Sequence, residues 1–185
     1  MSTELIVAIA AVAAIVLLGA GWMLLSQRRT NKLKERYGPE YEYMQSVEGR
    51  REAEKDLVAR EKRVAKFEIK ELGREERHGY LNDWQMVQAK FVDDPASAML
   101  EADILVQKVM FARGYPLSDF EQQAADISVD HPEVVRNYRA AHDLSERSRR
   151  GQAGTEDLRQ GLLHYRALFD DLLGEPVAAQ PSRTG

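Results

Sequence analysis

The pattern of apolar and polar residues divides the chain into three parts, and the first is an apolar run without charge. It extends from Leu5 to Leu25 and is 21 residues long. At a rise of 1.5 Å per residue, a helix of this length spans roughly 31 Å, close to the hydrocarbon thickness of a bilayer. The preceding residues, MSTE, lack the basic charge of a signal peptide. We therefore expect residues 1–27 to form an uncleaved transmembrane anchor.

Basic residues follow this run directly, at Arg28, Arg29, Lys32, Lys34 and Arg36. Positively charged flanks stay in the cytoplasm, so the N-terminus should lie outside and the rest of the chain in the cytoplasm. This predicts a single-pass protein of the cell membrane, with the lipid bilayer as a partner. The same five side chains are candidates for contact with anionic lipid headgroups. Each basic residue near such a surface contributes roughly 1 kcal/mol to binding. Alternatively, they serve only to determine the topology.

The second part, residues 28–73, combines the basic juxtamembrane segment with a densely charged stretch. Gly38-Pro39 should end one helix and begin the next, because proline lacks an N–H and restrains the residue before it. Beyond this break the apolar residues are few, and they include Met44, Val47, Leu57, Val64 and Phe67. Glu61 interrupts their spacing where an apolar residue would be expected. This pattern predicts a long charged stalk helix, solvated or in a weak coiled coil.

The third part, residues 74–173, repeats apolar residues at spacings of three and four, which is typical of amphipathic helices. Asp94-Pro95, Ser118–Glu121, Asp130–Glu133 and Thr155 have the residue types of helix starts. We expect a compact bundle of about five helices, followed by a disordered tail at 174–185. The predicted core comprises Tyr80, Trp84, Val87, Phe91, Met99, Ala102, Val106, Val109, Met110, Val134, Val135, Tyr138, Ala141, Leu158, Leu162, Tyr165, Phe169 and Leu172. The fold class is thus all-α: an anchor, a stalk and a bundle.

Composition excludes several kinds of chemistry. The chain has no cysteine, which excludes thiol nucleophiles and zinc sites built on cysteine. Its formal net charge is −4, and the basic excess lies beside the apolar run rather than on the bundle, so we expect no nucleic-acid partner. No phosphate-binding loop, dinucleotide fingerprint or catalytic serine motif is present. We predict no catalytic residue, no cofactor and no metal ligand.

The histidines are the remaining candidates for chemistry. His131 and His142 are eleven residues apart, hence on one helix face but roughly 16 Å apart along the axis, too far to share one metal ion. Asp130 and Glu133 have the spacing of a capping box around His131. His142 and His164 border apolar faces, where a hydrogen-bonded histidine is the simpler interpretation. A ligand site of His142, His164, Tyr138 and Tyr165, with a carboxylate from Asp103 or Asp126, is a further hypothesis.

Several segments carry a family resemblance: RTNKLKERYGPEY (29–41), GRREAEKDLVAREKR (49–63), FVDDP (91–95), ARGYP (112–116) and ADISVDHPEVVRNYRAAH (125–142). Through them the chain resembles a group of uncharacterised bacterial single-span membrane proteins with an RxGPEY-like juxtamembrane junction and a helical C-terminal domain. The resemblance implies a bacterial source and a shared fold, and no activity.

Together these observations predict a membrane-anchored, non-enzymatic helical module that binds a protein partner or serves as a scaffold, with a homodimer as one arrangement. Two alternatives are a bundle that senses a small ligand or metal, and a spacer that contacts anionic lipid. The first hypothesis requires an exposed apolar or aromatic surface on residues 74–173.

Overall fold

The computed structural model describes residues 3–174, and their side chains from residue 17 onward except at 19 and 22. Within this range all regular structure is α-helical, which confirms the predicted all-α class. The eight helices are α1 (Thr3–Tyr37), α2 (Pro39–Glu48), α3 (Arg50–Val64), α4 (Arg74–Asp93), α5 (Pro95–Ala112), α6 (Phe120–Asp130), α7 (Val135–Arg149) and α8 (Thr155–Leu173). The chain divides into two compact units, Met1–Lys55 and Asp56–Gly185.

The predicted single-pass membrane localisation is wrong. Among the described residues, no helix has the length and apolar character needed to cross a membrane. Most of the predicted anchor lies outside the described side chains, and residues 175–185 of the predicted tail (174–185) lie outside the described residues.

In the first unit, a small core joins the end of α1 to α2 and the start of α3. It contains Leu33, Tyr37, Tyr41, Met44 and Ala53. The Glu54 carboxylate accepts hydrogen bonds from Thr30 Oγ1 at 2.7 Å, Tyr41 Oη at 3.1 Å and Arg50 Nε at 3.0 Å. One half-buried acceptor therefore links all three helices.

The segment expected to form one long stalk helix is divided into α2 and α3. Gly49 lies between them with φ of +79°, a conformation that glycine adopts without steric cost. The predicted break at Gly38-Pro39 is confirmed, because α1 ends at Tyr37 and α2 begins at Pro39. After Val64 the chain is not helical again until Arg74.

The second unit is a helical bundle in which α4, α5, α7 and α8 surround one hydrophobic core. Helix α5 packs against α4, α7 and α8, and α7 packs along α8. Close approach of α5 and α8 depends on Gly161, because a Cβ there would lie 2.5 Å from the Cε of Met99. The predicted core positions are confirmed as buried, with Tyr80, Phe91 and Val134 half-buried against the rest.

Two helix starts differ in how well the sequence predicted them. Asp94 is the N-cap of α5, accepting a hydrogen bond from Ser97 N at 3.1 Å, with Pro95 in the first turn as expected. For α6 the cap is Asp119, which accepts from Gln122 N at 2.9 Å, and not the predicted Ser118.

The predicted capping box at Asp130–Glu133 is wrong. Asp130 is the last residue of α6, and α7 starts after Val134 without any side-chain cap. The physical reason is a tertiary competitor, because the Asp130 carboxylate accepts a hydrogen bond from Tyr115 Oη at 2.8 Å. The carboxylate therefore bonds to the loop before α6 and does not cap α7.

Candidate functional site

Helix α5 exposes a row of large apolar side chains, which we call the α5 row: Leu100, Ile104 and Phe111. They are 39%, 52% and 60% exposed, respectively. Positions four and eleven apart lie on the same helix face, and the row is about 16 Å long. Eight other residues of α5, among them Met99, Val106 and Val109, are buried in the core. The helix therefore carries large apolar side chains on an exposed face as well as on its core face.

Two charged residues accompany the row. Glu101 accepts from Lys90 Nζ at 2.5 Å, which ties the start of α5 to the end of α4. Both side chains of this pair stay partly exposed, at 46% for Glu101 and 40% for Lys90. Lys108 lies on the exposed face between Ile104 and Phe111, and it has no hydrogen bond or ion pair within the described part of the chain. The surface thus combines apolar residues with one charge of each sign.

The four residues of the hypothetical ligand site have separate partners. The His142 ring stacks on Phe120, with centroids 3.6 Å apart and planes 7° from parallel. His164 Nδ1 lies 3.1 Å from Asn137 Oδ1. Tyr138 Oη donates to Gln123 Oε1 at 2.9 Å. The two histidines are engaged in different contacts rather than directed at a common ligand.

Tyr165 is the member of that set with a carboxylate partner. Its hydroxyl donates to Asp103 Oδ1 at 2.9 Å, and Gln107 Nε2 donates to Asp103 Oδ2 at 3.1 Å. Arg149 Nη2 lies 3.9 Å from the same oxygen. Asp103 is only 6% exposed. This buried network joins α5, α7 and α8, and it has the character of a structural link.

The second candidate carboxylate, Asp126, lies elsewhere in the same unit. It is 1% exposed and accepts from Arg63 Nε at 2.9 Å and from Gln122 Nε2 at 2.8 Å. Neighbouring Arg60 donates to Ser128 Oγ at 3.2 Å. These bonds attach α6 to the end of α3.

Burial changes the ionisation of three core tyrosines. Desolvation raises the pKa of Tyr115, and its hydrogen bond to Asp130 raises it further. Desolvation likewise raises the pKa of Tyr138 and of Tyr165, with the negative charge of Asp103 as the next cause in both. These phenols are therefore held in the neutral, hydrogen-bond-donating form.

His131 lies at the end of α6 and pairs with α8. Its Nδ1 is bonded to the Asp171 carboxylate, and its ring makes an edge contact with Tyr115 at 6.4 Å between centroids. Its Nε2 is buried without a hydrogen-bond partner in the described structure. The separation from His142 inferred from the sequence assumed one continuous helix, whereas the two residues belong to different elements.

No group of three or more acidic or histidine side chains within the described residues is arranged to hold a metal ion. A cavity of about 370 Å³ lies in the first unit, beside Lys34 and Tyr41. Another of about 560 Å³ lies in the second unit beside Arg77 and Arg166. Arg166 Nε donates to Asp170 Oδ2 at 2.7 Å, so this guanidinium is already engaged within the chain.

The five basic residues predicted to contact lipid are all exposed on α1. At 100° per residue, Arg28, Arg29, Lys32 and Arg36 fall within one arc of about 100°. The ammonium of Lys34 lies on another side of the helix, 5.6 Å from the centre of the Tyr41 ring. The structure therefore brings four of the five residues to one face.

Comparison with known proteins provides no family assignment: no protein-family model, curated protein or solved structure matches this chain. The α5 row was not predicted from the sequence. The sequence did contain an indication of it. Leu100, Ile104 and Phe111 do not fit the spacing of the α5 residues that face the core, so these large apolar side chains had to lie on another face of the helix.

Proposed function

We propose that the chain is a non-enzymatic protein-interaction module that binds a partner through the α5 row. The observation that supports this proposal is the exposure of Leu100, Ile104 and Phe111 along one face of a helix whose opposite face is buried in the core. A partner that covers such side chains removes apolar surface from water, which stabilises the complex by about 25 cal/mol for each Å² buried. Exposed apolar clusters of this kind are typical of interaction sites.

The shape of the α5 row favours a helical partner. Its three members span about three helical turns. An amphipathic helix presents anchors at the same spacing and packs against another helix at an axis separation of about 8–10 Å. Glu101 and Lys108 would then provide a polar rim that favours one orientation of the partner.

Site-specific photo-crosslinking in the source cells tests this function. A benzophenone amino acid replaces Ile104 in one variant and Leu163, a similarly exposed residue of α8, in the control. We expect covalent adducts with a protein at position 104 and few at position 163, and mass spectrometry identifies the partner. Equal adduct yields at the two positions, or none at position 104, would contradict the proposal.

A second candidate function, contact with anionic lipid headgroups, is supported by the clustering of Arg28, Arg29, Lys32 and Arg36 on α1. Surface contact of this kind needs no spanning helix. We expect the intact chain to bind vesicles containing phosphatidylserine more strongly than vesicles of phosphatidylcholine alone. Arg28→Glu with Arg29→Glu should remove this preference, whereas Lys55→Glu, 78% exposed on α3, should retain it. A preference that survives the double reversal would refute this candidate.

A further inference from the structure

We propose that the partner of the α5 row is a second copy of this chain, bound with the two α5 helices antiparallel. This inference rests on the proposed function of the row and adds the identity and orientation of the partner. It depends on two properties of the exposed face of α5, namely the order of its apolar residues and the position of its charges.

The apolar residues can match themselves across a two-fold axis. If Leu100 of one copy lies opposite Phe111 of the other, the axis passes midway between positions 105 and 106. The same operation places the larger Phe111 against the smaller Leu100 at both ends of the contact. The two Ile104 residues then lie about 4.5 Å apart along the helix axes, within one turn of each other. The whole row is covered by this one arrangement.

The charges favour the antiparallel orientation. In this register, Glu101 of one copy lies about 3 Å along the axis from Lys108 of the other, so two equivalent ion pairs form. Glu101 and Lys108 lie on the same flank of the row, and a parallel two-fold pair would place the charged flanks of the two copies on opposite sides of the contact, where these ion pairs cannot form. Lys90 holds Glu101 at the surface, and 46% of the Glu101 side chain is still exposed for a second partner.

The absence of native cysteine allows a direct test with the intact chain. Chains with Leu100→Cys and chains with Phe111→Cys carry different affinity tags and are mixed. A bismaleimide shorter than the axis separation of two packed helices is then added. We expect the mixed adduct to form at least several-fold more abundantly than either variant with itself. A parallel pair would give the reverse ratio and overturn the inference.

Ile104→Asp in both cysteine chains should abolish the mixed adduct, whereas Leu163→Asp should leave it unchanged. Circular dichroism of each variant verifies that the helices are retained. Charge reversal supplies a second readout: Glu101→Lys in both cysteine chains, or Lys108→Glu in both, should reduce the mixed adduct, whereas Glu101→Lys in one chain with Lys108→Glu in the other should restore it. If the mixed charge variants do not regain the cross-linked product, the proposed charge pairing is contradicted.

The failure of this inference differs from the failure of the proposed function. If the cysteine chains give no adduct while the photoreactive residue at position 104 captures a different protein, the α5 row is an interaction site and the second copy is not its occupant. If both experiments yield no adduct at α5, the proposed function itself is refuted.

Discussion

Replacing Tyr165 by Phe should lower stability at neutral pH and raise it in strong alkali. At neutral pH the variant removes a hydrogen bond to the buried Asp103 carboxylate. Hydrogen bonds to charged groups contribute about 1.5–3 kcal/mol, so the free energy of unfolding should fall by about 2 kcal/mol. The change in alkali follows from the raised pKa of the tyrosine.

Above about pH 10 the unfolded chain loses the phenolic proton of each tyrosine, while a buried tyrosine with a raised pKa keeps it. The folded state then binds more protons than the unfolded state, so stability falls as pH rises. Below pH 10 this contribution is fully present. Each such tyrosine gives a slope of about 1.4 kcal/mol per pH unit. Tyr115, Tyr138 and Tyr165 together give about 4 kcal/mol per pH unit.

Tyr165→Phe should therefore reduce the alkaline slope by about 1.4 kcal/mol per pH unit. The variant is about 2 kcal/mol less stable than the wild type up to about pH 10. Because the wild type then loses about 1.4 kcal/mol more per pH unit, the two stability curves should cross near pH 11.5. Urea unfolding at intervals from pH 7 to about pH 12, followed by far-ultraviolet circular dichroism, measures both curves.

Gln107→Ala is the matched control, because it removes the other donor to Asp103 and keeps every tyrosine. Its stability should be lowered by a similar amount at every pH, without a crossing. An unchanged alkaline slope in Tyr165→Phe would refute the reasoning. The phenolate absorbance that Tyr165→Phe removes reports on Tyr165 alone, and its appearance near pH 10 while the helices remain folded would refute the reasoning as well.

Three further predictions concern the free energy of unfolding, which equilibrium urea unfolding can measure. Asp119→Ala should cost about 1 kcal/mol through loss of the α6 cap, whereas Ser118→Ala should be nearly neutral, because the buried Ser118 hydroxyl has no partner in the described structure. Equal costs would contradict the assigned cap. Gly114→Ala should destabilise by at least about 1–3 kcal/mol, since φ is +101° and a Cβ would lie 2.3 Å from a backbone oxygen. Gly79→Ala, in α4 with open space around it, should instead stabilise by about 0.5–1 kcal/mol; the same sign for both would be inconsistent with the backbone geometry. Arg63→Gln should cost about 2 kcal/mol because it leaves a buried carboxylate of α6 without its cation, and a loss under about 0.5 kcal/mol would show that the half-exposed pair contributes little.

The helices and their inward faces could be predicted because they depend on residues close in the sequence. The spacing of Trp84, Val87 and Phe91 indicates which side of α4 faces the core. The Asp94-Pro95 start of α5 requires only its own first turn. Such features are encoded within a few residues, and the structure confirms them.

Other features could not be predicted because they depend on residues far apart in the chain. Asp130 has the local pattern of a helix cap, but its carboxylate accepts a hydrogen bond from Tyr115, and Asp130 is the last residue of α6. The bond between Asp103 and Tyr165 joins residues 62 positions apart, and no local spacing indicates it. The α5 row requires knowledge of which side of α5 the other helices leave uncovered.

Helix α6 is attached to the rest of its unit differently from its neighbours. Ala124 and Ile127 of α6 belong to the main hydrophobic core and Phe120 packs against its edge, whereas further links are polar, through Asp126, Gln123 and Asp130. A segment held in this way should open locally at a lower free energy than α5 or α8. In native-state hydrogen exchange, the amides of α6 would then form a separate early-exchanging group. Their protection should decrease with added salt, because screening weakens the half-exposed link between Arg63 and Asp126.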